Sequence, residues 1–257
     1  MPEPRPYYSE RGLSAAYYDL ITDRDRTLDG DISFYAELTP AKGSVLELGA
    51  GAGRVALALA DRGFTVLGVD LAPAMLAQAR DKLAAVATAV AGRVGFRLGD
   101  MTSLSLGRTF DTVICPYFGL AHLPAGAAWA NTLGVIARHL GPGGRAAIHL
   151  PLAEAMAGLP PLDPKLPVVQ IRLPGGGALQ MFVSERGFRE KIGRFDQVLD
   201  YVVTDPAGAL VRRSQERQTF YAGDPAPFAA KAGLIPGPPP FRLGDAGEIH
   251  VFSKPKR

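Results

Sequence analysis

Cysteine is almost missing from this chain. One residue of 257, Cys115, is a cysteine, which excludes an internal disulfide and any cysteine-based zinc cluster; no metal site is expected. Charge of one sign is also missing in bulk. The formal net charge is only +3, and the positive residues are spread along the chain, so no nucleic-acid partner is expected. The short basic end from Lys254, KPKR, reads as a solvated tail. Long apolar runs are absent too. The one interval without an ionised residue, Asp111 to Arg138, holds Pro116, Pro124, Asn131 and three glycines, and reads as a strand, a loop and a buried helix with no membrane span. The opening MPEPRPYYSERG lacks the apolar centre of a secretory signal, and the expectation is a cytoplasmic protein without a membrane partner.

What is present is a chain long enough for one large α/β domain. From residue 41 to 150, short apolar runs (VLEL, TVLGVD, VGFRL, DTVIC, AAIHL) alternate with helical patterns. In RVALALADRG, Gly63 suits a helix C-terminal cap; in APAMLAQARDKL, Pro73 suits a first turn, and Met75, Leu76, Ala79 and Leu83 recur at helical spacing. Trp129, Leu133, Ile136 and Leu140 mark a further helix. This alternation predicts a mostly parallel sheet with helices on both faces. Residues 151–177, rich in proline and glycine, read as a loop or broken helix. From Leu179 to Tyr221 the period is two, with Gly187 and the DPAG at Asp205 as turns, which predicts an inserted antiparallel meander. A last helix (PAPFAAKAGL) and two strands (FRLGD, EIHVFSK) return to the α/β pattern. The expected organisation is a single domain over 1–257: an N-terminal helical flap (1–40), a cofactor-binding core (41–150), a cap (151–222) and the closing core elements (223–257).

The stretch VLELGAGAGR places Gly49, Gly51 and Gly53 at the end of a strand and the start of a helix, where free backbone N–H groups and the helix dipole favour a nucleotide-like ligand. No P-loop is present, and Arg54 stands where the dinucleotide fingerprint needs glycine or alanine. Glu47 precedes the glycines. Asp70 ends the second strand, 21 residues beyond Gly49, where a carboxylate can take ribose hydroxyls. Asp100 and Met101 end the third strand, where a carboxylate can take an adenine amine and a thioether can pack on the ring.

Taken in order, LELGAGAGR, GVDLAPAMLAQAR, LGDM, FDTVICPYFGLAHL and LGPGGR resemble the class I S-adenosylmethionine-dependent methyltransferases, of the small-molecule type, over roughly residues 15–150. The resemblance implies a Rossmann-like seven-stranded sheet with its last strand antiparallel. It implies S-adenosyl-L-methionine bound across the strand ends, with Glu47 and Gly49 near the amino-acid part, Asp70 on the ribose, and Asp100 with Met101 on adenine. Gly51, Gly53, Leu71, Met75 and Cys115 complete the expected cofactor set. The flap AAYYDLI offers Tyr18 as a further contact.

The family places substrate-facing residues after the fourth strand, here Cys115, Pro116, Tyr117, Phe118 and His122. His122 is the candidate base, with Tyr117 beside it. His139, His149 and His250 read as structural. The CPYF at this strand end lacks the amide or acid common in methylases of nucleic-acid bases. The cap offers Phe182, Phe188, Tyr201 and Phe220 as walls, Arg189 or Arg194 as anion contacts, and a surface for a homodimer. The expected activity is methyl transfer to an oxygen or nitrogen of a small molecule by direct displacement. The alternatives are an RNA or protein methyltransferase and a non-catalytic adenosyl-ligand binder, with a nicotinamide oxidoreductase weakened by Arg54.

Overall fold

A computed structural model describes residues 3–256. Four short elements precede the core: β1 (Arg5–Pro6), α1 (Leu13–Ala16), α2 (Tyr18–Thr22) and α3 (Asp31–Leu38). The alternation then runs β2 (Ser44–Leu48), α4 (Arg54–Asp61), β3 (Thr65–Asp70), α5 (Pro73–Ala85), α6 (Thr88–Ala91), β4 (Val94–Leu98), β5 (Phe110–Cys115), α7 (Ala127–His139) and β6 (Leu140–Pro151). After α8 (Ala153–Ala157) come β7 (Val169–Arg172), β8 (Ala178–Arg189), β9 (Arg194–Thr204) and β10 (Leu210–Tyr221). The chain closes with α9 (Ala226–Lys231), β11 (Ile235–Pro236), β12 (Phe241–Leu243) and β13 (Gly247–Ser253).

The first sheet has the order β11-β13-β6-β5-β2-β3-β4, with β12 also paired to β13. Strands β2 to β6 are mutually parallel where they pair, and β13 runs antiparallel to β6. The Rossmann-like architecture is as expected, but the described strands number eight. The expected strand FRLGD is β12, and β11 is an additional short strand, both paired with β13. Between them lie Pro238, Pro239 and Pro240, which have no N–H to give to a ladder.

Side chains of β2 alternate between two cores. Leu46 and Leu48 pack with Val113, Trp129, Leu133 and Phe252; Val45 packs on the other side with Val55, Leu59, Val66 and Ile114. By the two-residue period, Glu47 shares the Val45 side and is buried there. Helix boundaries follow local chemistry. Pro73 occupies the first turn of α5, and Gly63 adopts φ +95° after α4. Lys254 is no solvated tail residue: its Nζ donates to the carbonyls of Ala137 and Leu140, both at 2.8 Å, at the C-terminal end of α7. Arg257, the last residue of that basic end, lies outside the described residues.

The second sheet is the predicted meander with two additions, in the order β1-β10-β9-β8-β7. Strand β7 arises within the stretch read as a loop. Strand β1 joins from the N-terminus, parallel to β10. Gly187 makes no turn, since it pairs with Asp196 inside the ladder; the turn falls at Glu190–Gly193, where Gly193 takes φ +59°. Leu179, Val183, Leu199, Tyr201 and Val203 form a core on the face of this sheet that Leu13, Tyr17, Leu20 and Ile21 of the N-terminal segment cover.

Candidate active site

The turn from β2 to α4 is held by backbone bonds across to β3. Gly49 and Ala50 donate to the Val69 carbonyl at 2.8 and 3.0 Å, and the Gly51 N–H donates to Asp70 Oδ2 at 2.7 Å. The three glycines have φ of +75°, +52° and +80°, a region costly for residues with a Cβ. Their surroundings differ. A Cβ on Gly49 or Gly51 would come no nearer than 3.5 Å to another group, the methyl of Met101 or of Met75, whereas one on Gly53 would strike the Phe96 ring at 2.7 Å. Gly49 and Gly51 line a cavity of about 360 Å³. Gly53 does not; it is needed for packing between α4 and β4.

Three carboxylates line this cavity. Glu47 is 2 % exposed, its Oε2 has no hydrogen-bond partner, and burial pushes its pKa up to about 8 against the opposing pull of Arg54. Arg54 is itself committed to Asp31, through Nη1–Oδ1 at 3.1 Å and Nη2–Oδ2 at 2.5 Å. Asp70 accepts from Ala72 N–H through Oδ1 at 2.8 Å and from Gly51 through Oδ2. Burial raises its pKa, and those backbone donors oppose the rise. Asp70 therefore shapes the turn as well as facing the cavity. Asp100 accepts from the Thr102 N–H and hydroxyl through one oxygen, both at 2.8 Å, which leaves Oδ2 uncommitted. Leu71, 66 % exposed, together with Met75 and Met101, supplies apolar wall.

A tyrosine cluster closes the cavity. Tyr7 and Tyr8 pack with ring centroids 4.1 Å apart, Tyr8 meets Tyr18 at 5.8 Å, and Tyr18 meets Tyr117 at 6.5 Å. Tyr117 and Phe118 follow Pro116 in left-handed conformations, φ +44° and +62°, and this strained turn aims the Tyr117 hydroxyl at Asp25 Oδ2, to which it donates at 2.8 Å. Burial and the neighbouring Asp25 hold the Tyr117 pKa well above the ordinary phenol value, so it is a donor and not a base. The His122 ring lies 6.2 Å from Tyr7, 6.0 Å from Tyr8 and 4.8 Å from Phe220. Burial lowers its pKa to about 4, which leaves the imidazole neutral at pH 7. Tyr7, Tyr8, Tyr117 and His122 also line a second cavity, of about 400 Å³, whose other walls include Asp25, Arg26, Gln197, Gln218 and Phe220.

The geometry offers an unsatisfied acceptor at Glu47, further carboxylate oxygens at Asp70 and Asp100, thioether and leucine surface, and a glycine cradle that a Cβ would fill. That set of acceptors suits a ligand with an ammonium, ribose hydroxyls and an aromatic amine. Residues 45–144 match the family model described as a methyltransferase domain. That match spans the glycine turn and the carboxylate-bearing strand ends that line the first cavity. S-adenosylmethionine is a ligand of that kind, and the cavity residues fit it.

Solved structures similar to this chain include the CcbJ methyltransferase from Streptomyces caelestis, with TM-score 0.71, 21 % identity, and coverage of 97 % of this chain and 98 % of that one. A second is SAM-bound CalS10, an amino pentose methyltransferase from Micromonospora echinaspora involved in calicheamicin biosynthesis, with TM-score 0.70, 22 % identity and coverage of 93 % and 96 %. A third is the glycopeptide N-methyltransferase MtfA with S-adenosyl-L-methionine, with TM-score 0.61, 24 % identity and coverage of 90 % and 88 %. These share the fold along nearly the whole chain. No curated protein matches the sequence significantly.

Of the residues singled out from the sequence, Tyr18, Glu47, Gly49, Gly51, Asp70, Leu71, Met75, Asp100, Met101, Tyr117 and His122 gather at the first cavity. Cys115 does not reach it. Its thiol is buried beneath Gly119, where a Cβ would lie 3.0 Å from the sulfur, and burial pushes its pKa up to about 12. His139 is structural, its Nε2 accepting the Leu106 N–H at 3.0 Å. His149 is buried beside Phe118, 4.6 Å between centroids, and His250 sits 3.1 Å from Glu248. Among the suggested cap residues, Phe220 alone lines the second cavity. Tyr201 belongs to the cap core, Phe188 packs with Phe195 and Met156, and Arg189 and Arg194 pair with Asp196. Sequence reasoning missed Tyr7, Tyr8 and Asp25. The aromatic pair in RPYYSE was the available signal, but nothing local says that β1 docks on β10 and carries it to the site. Among the described residues, no helix is long and apolar enough to cross a membrane, and no cluster of three or more His, Cys, Asp or Glu could hold a metal ion.

Proposed function

We propose that the protein transfers a methyl group from S-adenosylmethionine to a nitrogen or oxygen of a small molecule held in the second cavity, with a nitrogen favoured. The observation that carries this reading is the shared wall: Tyr7, Tyr8, Tyr117 and His122 line both cavities, so an acceptor in one meets the cofactor in the other. Glu47 and Gly49 hold the amino-acid part of the cofactor, Asp70 the ribose, Asp100 and Met101 the adenine, with Leu71, Met75 and Tyr18 closing over it. The cofactor supplies a methyl already activated by the sulfonium charge. The chain's own task is then alignment, and holding the acceptor lone pair in line supplies most of the acceleration.

The preference for nitrogen follows from the basicity on offer. An alcohol needs a strong base to become nucleophilic, and the residues lining the second cavity include no lysine, while His122 is depressed to about 4. A neutral amine already carries its lone pair. His122 accepts a hydrogen bond from the amine N–H, and Asp25, fixed by Thr27 and Tyr117, offers a further acceptor to a polar substrate. The amino pentose and glycopeptide N-methyltransferases of the same fold are consistent with such a target. The test is a thermal-shift comparison of S-adenosylmethionine, S-adenosylhomocysteine and NAD, followed by assay of S-adenosylhomocysteine release with paired small amines and the corresponding alcohols. Turnover of alcohols but not amines refutes the nitrogen preference; a shift with NAD alone refutes the whole reading.

A further inference from the structure

We infer that Glu216, on the cap strand β10, is a positioning residue of the methyl-transfer site that acts through Ser14 on Tyr8. Glu216 is fully buried, and no cation is among its hydrogen-bond partners. An unpaired buried carboxylate is costly unless donors satisfy it. Four donors do: the Leu13 N–H at 2.6 Å and the Ser14 N–H at 3.1 Å to Oε1, the Ser14 hydroxyl to Oε2, and the Ser214 hydroxyl to Oε1 at 2.8 Å. Three of these belong to the N-terminal segment. The backbone of Glu216 also pairs with Arg5 of β1. Gly12 lies so close that a Cβ there would fall 2.7–2.9 Å from the carboxylate, an approach that a larger residue would block.

The consequence reaches the site through one serine. The Ser14 hydroxyl donates to Glu216 and accepts the Tyr8 N–H at 3.0 Å, so the carboxylate fixes the direction of that hydroxyl. Tyr8 sits at φ +59°, an unfavourable conformation for tyrosine that persists only where neighbours over-determine it. Its ring then lies between Tyr7, Tyr18 and His122, on the wall common to both cavities. The other end of the segment is tied to the core, where Gln78 donates to the Ala15 carbonyl at 2.8 Å and Lys82 pairs with Asp19 at 2.5 Å. The segment is thus a strap from cap to core across the cofactor cavity, and Glu216 anchors its cap end.

The binding part of the test rests on the cofactor reading given above; the cleavage part does not. Arg11 is exposed beside the latch, and limited trypsin digestion under native conditions reads release of the strap at that bond. Glu216→Leu, which fills the space and leaves four donors unpaired, is expected to be cut after Arg11 about tenfold faster than wild type with the rest of the chain intact, and to bind S-adenosylhomocysteine about tenfold more weakly. Glu216→Gln keeps an acceptor oxygen for the two N–H groups and is expected to restore resistance to cleavage, whereas its amide nitrogen cannot accept the Ser14 hydroxyl and affinity is expected to recover only in part. Should Glu216→Leu not fold, Ser14→Ala carries the test, since it keeps the carboxylate with its three other donors and removes the hydroxyl that links Glu216 to Tyr8; unchanged affinity in that variant overturns the inference. Equal cleavage of wild type and Glu216→Leu also overturns it. A wild type that fails to bind S-adenosylhomocysteine refutes the cofactor reading instead.

Discussion

Glu47 gives the sharpest quantitative expectation. In the unliganded protein its carboxyl has a pKa of about 8, raised from the ordinary 4.5 by burial, so at pH 7 about 0.9 of a proton is bound there. An ammonium placed about 4 Å away interacts with the carboxylate by about 4 kcal/mol at an effective dielectric of about 20. That is worth about 3 pH units, enough to bring the bound-state pKa to about 5. Binding of S-adenosylhomocysteine at pH 7 should therefore release about 0.9 of a proton. Calorimetric titration in buffers of differing ionisation enthalpy measures this directly, and Glu47→Gln should abolish it. A wild type that releases no proton, or a Glu47→Gln protein that still does, refutes the assignment of Glu47 to the amino group. The sign for stability is the reverse of that for an ion-paired carboxylate. Between pH 4.5 and 8 the unliganded native state holds the extra proton, so this group's contribution to stability is lost as pH rises through that window, and Glu47→Gln should flatten the loss.

Other expectations separate packing from binding. Gly53→Ala places a Cβ against Phe96 at positive φ and should cost about 2–4 kcal/mol in denaturant unfolding with ligand affinity unchanged, whereas Gly51→Ala should weaken S-adenosylhomocysteine binding more than it lowers stability. Asp70→Asn turns one acceptor of a backbone N–H into a donor, so both stability and affinity should fall; near-normal affinity removes Asp70 from the ribose role. His122→Phe should lower kcat by about 10–100-fold if the imidazole orients the acceptor, and unchanged turnover would leave it a wall residue. His149 is held neutral by burial, with a pKa lowered to about 4, so its contribution to stability is present above the ordinary 6.5 and lost as pH falls towards 4; His149→Phe should reduce that acid sensitivity in thermal unfolding.

The order of apolar runs, the glycines at 49 and 51 and the acids at 47, 70 and 100 were enough to determine the parallel sheet and the residues that gather at the first cavity. These signals are local: a strand's period, a turn that only glycine makes, and a carboxylate at a strand end need no knowledge of distant residues. The same local reading could not separate Gly53 from its neighbours, because what distinguishes it is the Phe96 ring from another strand. Nor could it place Cys115, which differs from Tyr117 only in the direction its side chain takes at a strained turn. On β10, period two was legible, but which face turned inward was not, and the inner face proved to carry Ser214, Glu216 and Gln218. A row of polar residues reads as solvent-facing until the segment that supplies its hydrogen-bond partners is known to lie on it. That segment comes from some two hundred residues away, as the 203-residue separation of Leu13 from Glu216 records. The acceptor side of the site, with Tyr7, Tyr8 and Asp25 brought against His122 and Phe220, is decided by that long-range docking and therefore by the tertiary structure alone.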